Sequence, residues 1–249
     1  MKTLFLTGGN SGIGFYMVKE WLERGNSAAV VDLSCHNLEG YKELYKERLT
    51  AIECDVRSEA DMKKAAQTAA AAYGCIDYAV HNACVCPFKS FEEHTRADYE
   101  YVMSVNLLGA VNVAKAVLPF MTARGSGRIF FTSSGVGVTG FTGISSYAAS
   151  KGAIESLAKC LNIEYKTSGV TFHIMHPPLT DTKSSSPLPV PKEFKATPER
   201  VGKGLVRHMG SKKFVITPSS GSAFSVKMSY LFPLAMGRFL AKMTDNAAK

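Results

Sequence analysis

The sequence predicts an α/β fold, a doubly wound parallel sheet of about seven strands with helices on both faces. Two observations support this prediction. Short apolar runs alternate with longer segments whose apolar residues recur at the helical period, which is typical of repeated βαβ units. The chain has 249 residues, of which 46% are hydrophobic, so it is long enough to bury one large core. We therefore expect residues 1–249 to form a single domain.

Each apolar run is predicted as a strand because it is short and is followed by turn residues. The predicted strands are Thr3–Leu6, Ser27–Asp32, Leu49–Cys54, Ile76–His81, Arg128–Thr132, Val170–Met175 and Lys213–Ile216. Helices are expected to begin near Ile13, Leu38, Glu59, Ala97, Ser145 and Thr197, with Ser58 as a cap and with Gly25, Gly74, Gly125 and Gly169 near helix ends. Right-handed crossovers between such strands place ligands at the carboxyl ends of the sheet.

The net charge of +8 belongs to the last part of the chain. Residues 183–249 hold 12 Lys/Arg and 3 Asp/Glu, a surplus of nine, whereas residues 1–182 hold 17 and 18. Solvated lysines are the favoured explanation, and an anionic substrate or a membrane surface is the alternative. Because no aromatic-basic motif of a nucleic-acid-binding module is present, we expect no nucleic acid as a partner.

The cysteines and the start of the chain restrict the kind of protein further. Six cysteines are scattered without a CxxC pair or a His/Cys cluster of zinc spacing, so we expect neither a disulfide framework nor a metal site. No arginine-rich or apolar leader precedes the first predicted strand, which favours a cytoplasmic protein.

A glycine-rich turn joins the first predicted strand to the first helix. In the run Thr7–Gly14, glycines 8, 12 and 14 let backbone N–H groups approach a pyrophosphate, whose charge is favoured at a helix N-terminus. A turn that binds no ligand is the alternative for this motif alone. Its position between a strand and a helix predicts a Rossmann-type dinucleotide site.

Asp32 ends the second predicted strand, 18 residues after Gly14. A carboxylate at this position accepts hydrogen bonds from the adenosine ribose hydroxyls and repels a 2′-phosphate, which favours NAD(H) over NADP(H). Neither Leu33 nor Asn10-Ser11 supplies a cation for such a phosphate. The alternative is an ordinary strand-end aspartate that caps the next turn. Asp55 follows the third strand and is a weaker candidate for contact with the adenine amino group.

Tyr147 and Lys151 are four residues apart in a predicted helix and therefore lie on one face. A phenol is a poor acid at neutral pH, since its ordinary pKa is about 10. A nearby ammonium group lowers the pKa of a phenol by roughly 1 to 3 units. The pair, with the serines at 133 and 134 and the glycine turn, therefore indicates hydride transfer between a nicotinamide and an alcohol or ketone.

Taken together, these motifs resemble those of the short-chain dehydrogenases/reductases. The resemblance covers roughly residues 1–182 and lies in Thr7–Gly14, Cys54–Val56, His81–Cys84, Asn106, Ser133–Gly137, Tyr147–Lys151 and Pro177–Thr182. It implies an NAD(P)-dependent alcohol dehydrogenase or carbonyl reductase.

The resemblance also implies roles for four side chains. Tyr147 is the acid/base, and Lys151 binds the nicotinamide ribose and lowers the Tyr147 pKa. Ser134 orients the substrate carbonyl, with Ser133 as the alternative, and Asn106 holds a water in a proton relay. An Asn106 amide that bonds only backbone carbonyls is the other reading of that residue. The expected cofactor contacts are Gly8, Asn10, Ser11, Gly12, Ile13, Gly14, Asp32, Leu33, Asp55, Val56, Asn82, Ala83, Tyr147, Lys151, Pro177, Thr180 and Thr182.

The chain departs from the family pattern at three positions. His81 replaces an asparagine, Cys84 replaces a glycine near the cofactor, and Pro178 replaces a glycine in the turn after the sixth strand. Cys84 is expected either to narrow the site or to pack, and Pro178 to stiffen the turn. Thr182 fits the carboxamide contact of the family, and Thr180 competes for it. None of these changes removes a catalytic group.

The predicted substrate pocket is apolar. Its expected walls are the loop Gly135–Ile144 with Val136, Val138 and Phe141, the side chain of Phe88, and a lid near residues 183–200 that contains the proline-rich run Ser184–Pro191. Residues 222–240 are apolar and basic, but Lys227, Pro233 and Arg238 interrupt them, so they do not predict a membrane span. This segment is expected to lie on a membrane, cover the substrate or pair with a second subunit.

We therefore expect an oxidoreductase that acts on a secondary alcohol or ketone, with a hydrophobic, lipid-like or steroid-like substrate. Family members that end in this way include enzymes of lipids and steroids. A homodimer or homotetramer is expected. The alternative function is a catalytically silent NAD(H)-binding sensor that docks on a membrane or partner through its basic tail. Epimerase or dehydratase chemistry on a nucleotide sugar is disfavoured by the short region after Lys151.

Overall fold

Seven parallel strands form one sheet in this computed structural model, which describes residues 1–188 and 190–247. Pro189, in the predicted lid, and the last two residues lie outside the described part. The strands are β1 (Thr3–Thr7), β2 (Ser27–Asp32), β3 (Leu49–Glu53), β4 (Tyr78–His81), β5 (Gly127–Thr132), β6 (Val170–Met175) and β7 (Val215–Ile216). Their order across the sheet is β3-β2-β1-β4-β5-β6-β7. The direction of winding therefore reverses between β1 and β4, where such sheets bind ligands.

Helices connect the strands and cover both faces of the sheet. They are α1 (Gly12–Glu23), α2 (Glu39–Tyr45), α3 (Glu59–Tyr73), α4 (Arg96–Met103), α5 (Gly109–Arg124), α6 (Val136–Thr139), α7 (Ser145–Glu164), α8 (Pro198–His208), α9 (Ser220–Leu231) and α10 (Pro233–Ala247). A π-helical turn, Ser104–Leu108, joins α4 to α5 without a break. The doubly wound fold predicted from the apolar runs is confirmed.

Most predicted helices and strands begin within two residues of the observed starts. The Ser58 hydroxyl accepts a hydrogen bond from the Asp61 N–H at 3.2 Å, as a helix cap does. Three strands are shorter than predicted, of which β3 ends one residue early, at Glu53. The segment from Lys213 contributes only a two-residue strand at the edge of the sheet, and β4 begins at Tyr78. The π-helical turn was not predicted, because nothing in the local sequence distinguishes it from α-helix.

The strand pleat divides the core into two layers. Ile129 and Phe131 of β5 point to the layer under α3, α5 and α7, whereas Phe130 points to the layer under α1 and α8. All three side chains are fully buried. Apolar residues on both faces explain why this strand reads as a continuous apolar run instead of alternating with polar residues.

The segment Arg96–Arg124 is long and apolar enough to cross a membrane, with a mean hydropathy of 1.5. Of the window that gives this value, 61% is buried inside the fold. Burial against the sheet accounts for its apolar character, since a core helix passes the same test of length and composition.

Polar side chains converge where the strands end. Thr7, Asp32, His81 and Thr132 are the last residues of four strands, and in a parallel sheet these ends share one edge. The terminal helices α9 and α10 return to this edge, where Gly237 of α10 lies so close to the Thr139 carbonyl that a Cβ would come within 2.6 Å of it. The candidate site is built between this edge and the terminal helices.

Candidate functional site

A cavity of about 480 Å³ opens at the carboxyl ends of the strands. Most of the residues predicted from the sequence line it. They are Gly8, Ser11, Gly12, Ile13, Asp32, Leu33, Asp55, Val56, Asn82, Ala83, Ser134, Tyr147, Pro177, Thr180 and Thr182. The structure places Asn10, Gly14, Asn106 and Lys151 behind this lining. Among the residues that the structure describes, no group of three or more His, Cys, Asp or Glu side chains is placed to hold a metal ion.

The glycine-rich turn provides a cradle into which a phosphate fits. A Cβ at Gly8 would come within 2.7 Å of the Ala83 backbone, and one at Gly14 would collide with the Gly8 carbonyl oxygen. Ser11, the cap residue of α1, makes no side-chain hydrogen bond to the first turn. The turn therefore leaves backbone N–H groups of the α1 N-terminus for an anionic ligand, which fits the pyrophosphate of a dinucleotide.

Asp32 is fixed at the far end of this cradle by the backbone. Its Oδ2 atom accepts from the Asn10 N–H at 2.9 Å, and its Oδ1 atom accepts from the Leu33 N–H at 2.8 Å. The Asn10 side chain turns away from the cavity, and its Oδ1 atom accepts from the Asn37 N–H at 2.9 Å. Asn10 thus shapes the turn through its backbone and through the following loop, and its amide does not reach the cavity.

Asp55 is paired with a residue that the sequence analysis did not single out. Arg57 donates from Nη2 to the Asp55 Oδ2 atom at 2.6 Å, and its guanidinium lies 5.6 Å from the centre of the Tyr101 ring. The hydrogen bonds from Arg57 lower the pKa of the Asp55 carboxyl below its ordinary range. The spacing of Arg57 could have identified it, because a side chain two residues after Asp55 on the same loop can reach that carboxylate and the cavity.

Tyr147 and Lys151 lie together on one face of α7, as their spacing predicts. Lys151 is 1% exposed, and its Nζ atom donates to the Thr132 carbonyl oxygen at 2.7 Å. The same atom lies 5.4 Å from the centre of the Tyr147 ring. The end of β5 therefore holds the buried ammonium group beneath the phenol.

The pKa of Tyr147 differs from the expectation. Burial of the phenol raises its pKa well above the ordinary value, Cys84 and Cys86 add to the increase, and the hydrogen bond with Ser134 only partly offsets it. Burial lowers the pKa of Lys151. The expected lowering of the Tyr147 pKa by Lys151 does not offset this increase; the Lys151 Nζ atom donates to the Thr132 carbonyl and lies over the Tyr147 ring.

The two neighbouring serines have different surroundings. Ser134 lines the cavity and hydrogen-bonds Tyr147. Ser133 is 1% exposed, and its Oγ atom donates to the Glu155 Oε1 atom at 2.9 Å. Ser134 is thus the serine that can reach a ligand beside Tyr147, while the Ser133 hydroxyl is engaged beneath the cavity floor.

The Asn106 amide is satisfied within the protein. Its Oδ1 atom accepts from the Val85 N–H at 2.9 Å, and its Nδ2 atom donates to the Val85 carbonyl at 3.0 Å and to the Ser150 hydroxyl at 2.9 Å. These contacts engage the amide with the backbone of Val85 and with a side chain of α7. Asn106 therefore ties the strand-end segment after β4 to α7.

His81 connects this network to the glycine turn. Its Nε2 atom donates to the Asn106 carbonyl oxygen at 3.0 Å, so the Nδ1 atom, 3.1 Å from the Thr7 hydroxyl, accepts. Complete burial, together with the nearby charge of Lys151, lowers the pKa of His81 to about 3. The imidazole is therefore neutral at physiological pH.

The prolines after β6 lead the chain across the cavity mouth. The Thr180 hydroxyl donates to the Pro178 carbonyl at 2.7 Å, and its side chain is 5% exposed. The Thr182 methyl group lies 3.2 Å from the position of a Cβ on Gly12. Of the two threonines, Thr182 is thus the better placed to contact a dinucleotide that lies against the glycine turn.

The remaining wall differs in part from the predicted one. Val136 and Ile144 line the cavity, but Phe88 packs against Gly143 outside it, and Val138 and Phe141 are also outside the lining. Other lining residues replace them: Cys84, Val85, Cys86, Leu179, Leu188, Ser222, Ser225, Val226, Ser229 and Leu240. Lys183, Ser184 and Ser185 of the predicted lid line the cavity as well.

The sequence did not assign the terminal helices to the site. It left a membrane surface, the substrate site and a second subunit as three possible contacts for residues 222–240. Ser222, Val226 and Ser229 recur at helical spacing on one face of α9, and this period was the available signal. Helix α9 therefore forms a wall of the cavity.

Comparison with known proteins gives a consistent result. The family model described as short chain dehydrogenase matches residues 2–191. The oxidoreductase UcpA of Escherichia coli strain K12 is 36% identical over 179 residues, which cover 71% of this chain and 68% of that protein. The 3-ketodihydrosphingosine reductase of Mus musculus is 33% identical over 188 residues, with 71% and 56% covered. The crystal structure of a short-chain dehydrogenase from Streptomyces avermitilis has a TM-score of 0.84 at 21% identity and covers 98% of both chains.

The neutral His81 predicts a specific loss of stability in acid. Because its pKa is about 3 when folded, the unfolded chain binds a proton that the folded chain rejects below pH about 6.5. This part of the stability is complete above pH about 6.5 and is lost as the pH falls towards 3, by up to about 1.4 kcal/mol per pH unit. His81→Asn should therefore flatten the acid limb of a denaturant-unfolding series.

The matched control is His36→Asn, at an exposed position. It should leave the slope of stability against pH unchanged. An acid limb of equal steepness in the wild type and in His81→Asn would contradict the assignment of a neutral, buried imidazole.

Proposed function

Since the chain belongs to the short-chain dehydrogenase family, we propose that it transfers a hydride between NAD(H) and a hydrophobic secondary alcohol or ketone. The observation that carries this proposal is the position of Tyr147 and Ser134 at the cavity, with the Lys151 ammonium buried directly behind the phenol. These groups are the ones that proton transfer to a carbonyl oxygen requires.

The residues of the chain divide the chemistry among them. In the direction of reduction, the Tyr147 hydroxyl gives its proton to the substrate oxygen, and the Ser134 hydroxyl hydrogen-bonds the same oxygen. The phenolate that remains is stabilised by the Lys151 ammonium and regains a proton from solvent. Bound nicotinamide supplies or accepts the hydride. In the direction of oxidation, the Tyr147 phenolate takes the proton, which requires that its raised pKa falls when the site is filled.

The preference for NAD(H) follows from Asp32. Its carboxylate is held at the cavity wall by two backbone N–H groups, so it cannot turn away from a ligand without losing them. Ribose hydroxyls donate well to such a carboxylate, whereas a 2′-phosphate would bring a like charge close to it. Arg57, a cation that also lines the cavity, is already paired with Asp55.

The hydrophobic substrate is supported by the wall beyond Tyr147. Val85, Leu179, Leu188 and Val226 contribute to it, and the thiols of the segment after β4 add polarizable surface. The murine relative is named for a 3-keto compound, 3-ketodihydrosphingosine. The mouth of the cavity lies beside the terminal helices, which expose further apolar side chains.

We also propose a peripheral contact between the terminal helices and an anionic lipid surface. Phe224, Leu231, Phe232, Leu234 and Phe239 are between 55% and 69% exposed. No acidic residue lies between Glu199 and Asp245, a stretch that contains eight Lys/Arg. Apolar side chains among cations suit the headgroup region of an acidic membrane, where each cation contributes about 1 kcal/mol. The protein is proposed as a cytoplasmic homodimer or homotetramer that makes this contact.

A catalytically silent NAD(H)-binding sensor is the second candidate function, favoured only by the raised pKa of the phenol. Binding of NADH without turnover of any alcohol or ketone would support it.

Replacing Tyr147 by Phe tests the reaction. The change removes the proton and keeps the ring, so turnover should fall by about 10²- to 10⁴-fold while NADH binding persists. The assay follows reduced nicotinamide by its absorbance with a panel of steroids, fatty alcohols, sugars and small ketones. Tyr101→Phe, the same change at the other end of the cavity, should leave turnover unchanged. Near-normal turnover by Tyr147→Phe would reject the assignment.

Replacing Asp32 by Asn tests the cofactor preference. Removal of the charge should improve NADPH binding relative to NADH by about 10-fold or more, which calorimetric Kd values measure. Glu164→Gln, at an exposed carboxylate outside the cavity lining, is the control and should leave the ratio constant. Equal ratios in the wild type and in Asp32→Asn would count against a role for Asp32.

Sedimentation with vesicles tests the lipid contact. The wild type should bind vesicles of phosphatidylserine and phosphatidylcholine, with binding that weakens at high salt, and Leu231→Ser with Leu234→Ser should reduce binding at least about 10-fold. Phe91→Ser is the control, since this side chain is 72% exposed in another part of the protein. Unchanged vesicle binding together with a smaller oligomer in the double variant would show that the apolar face pairs with a second copy.

A further inference from the structure

A buried carboxylate lies beneath the cavity and takes no part in the proposed chemistry. Glu155 follows Lys151 by one helical turn on α7 and is 4% exposed. An isolated carboxylate in such a position is strongly unfavourable, so a buried carboxylate persists only where donors surround it. The donors around Glu155 come from three separate parts of the chain.

The contacts of this carboxylate are short and numerous. The Oε1 atom accepts from the Ser133 hydroxyl at 2.9 Å and lies 3.0 Å from the His176 Nε2 atom, and the Oε2 atom accepts from the Tyr230 hydroxyl at 2.7 Å. Because a carboxylate only accepts, the proton of the His176 ring lies on Nε2. Burial raises the pKa of Glu155, but these hydrogen bonds outweigh burial and lower it overall.

Each donor belongs to a segment that shapes the cavity. Ser133 precedes Ser134, the serine that reaches a ligand, and its hydroxyl also lies 3.3 Å from the Lys151 carbonyl. His176 precedes the proline turn that leads to Thr182. Tyr230 belongs to α9, whose Ser222, Val226 and Ser229 line the cavity. One carboxylate thus joins α7, two strand ends and the wall of the pocket that α9 forms.

We infer that Glu155 fastens helix α9 to the catalytic helix and that Tyr230 is a positioning residue, which sets the distance between the substrate wall and Tyr147. Tyr230 does not touch the reacting atoms. The Tyr230 hydroxyl supplies the hydrogen bond that runs from α9 to α7, and the ring of Tyr230 also packs edge-on against the His176 ring, with 5.9 Å between the centroids. The residue is 39% exposed, while its hydroxyl reaches the buried Glu155.

Contact with a buried carboxylate restricts the position of α9 more than apolar packing would. Apolar contacts tolerate sliding, whereas a hydrogen bond to a buried charge fixes one distance and one angle. The His176 Nδ1 atom is buried and has no hydrogen-bond partner in the described part of the chain, so the ring is held by its Nε2 side alone. The orientation of His176 therefore depends on Glu155 and on the Tyr230 hydroxyl, which lies 3.2 Å from the same Nε2 atom.

Hydrogen–deuterium exchange of two variants tests the fastening without any substrate. Tyr230→Phe keeps the ring and removes the donor, and Glu155→Gln keeps the shape and removes the charge. In both variants, amide exchange in Ser220–Leu231 should rise by roughly 10-fold or more, because a hydrogen bond to a charged group is lost. Ser145–Glu164 and the strands should keep their protection. Tyr165→Phe is the matched control, because this half-buried tyrosine makes no hydroxyl hydrogen bond to any described residue and should change nothing.

Steady-state kinetics tests the effect on substrate, and this part rests on the proposed function. In Tyr230→Phe the KM for a large hydrophobic substrate should rise about 10-fold while kcat and the Kd for NADH change little, whereas a merely structural effect would lower the active fraction and leave KM constant.

Three results would overturn the inference. If α9 exchanges at the wild-type rate in both variants, Glu155 does not hold α9 against α7. If protection is lost throughout α7, the variants are generally destabilised instead. A loosened α9 with an unchanged KM excludes the positioning role of Tyr230. The exchange experiment uses no turnover, so it remains decisive if the proposed reaction itself is wrong.

Discussion

The burial of the Lys151 ammonium group is the constraint on which the organisation of the site rests. A lysine that is 1% exposed must have an acceptor, and the Thr132 carbonyl at the end of β5 provides one. This hydrogen bond sets the height of α7 over the sheet, and with it the position of Tyr147 one turn earlier on the helix. The proposed proton transfer would take place at this phenol, and burial raises its pKa. Burial therefore favours the neutral form of Tyr147.

Interactions between residues close in the chain could be predicted from the sequence, and those between distant residues could not. The helical period was enough to place Tyr147 beside Lys151, and the strand-turn-helix pattern was enough to place Gly8 and Gly14 at a phosphate cradle. The preference for Ser134 over Ser133 also agrees with their different surroundings. The pKa of Tyr147 could not be predicted, because it depends on how deeply the phenol is buried and on where the ammonium group points.

Contacts between residues far apart in the chain account for the other features of the site that were not predicted from the sequence. The Asn106 amide is satisfied by Val85, 21 residues away, at a π-helical turn that has no local sequence signature. The Tyr230 hydroxyl reaches Glu155 across 75 residues. The apolar and basic character of the terminal helices could be read from the sequence. Their location could not, because it depends on a fold in which one face of α9 lines the cavity and the other is exposed.

The two ends of the cavity differ in how they meet the solvent. The pair formed by Arg57 and Asp55 is partly exposed, with 49% and 29% of the two side chains accessible, whereas Lys151 and Glu155 are enclosed. Mobile ions screen exposed charges over about 8 Å at physiological ionic strength and screen enclosed ones far less. The end of the cavity at Asp55 and Arg57 is thus exposed to the ionic composition of its surroundings, while the end at Lys151 is insulated from it. For the dinucleotide site that we propose, changes in salt would therefore alter the affinity for the ligand without altering the chemistry beside Tyr147.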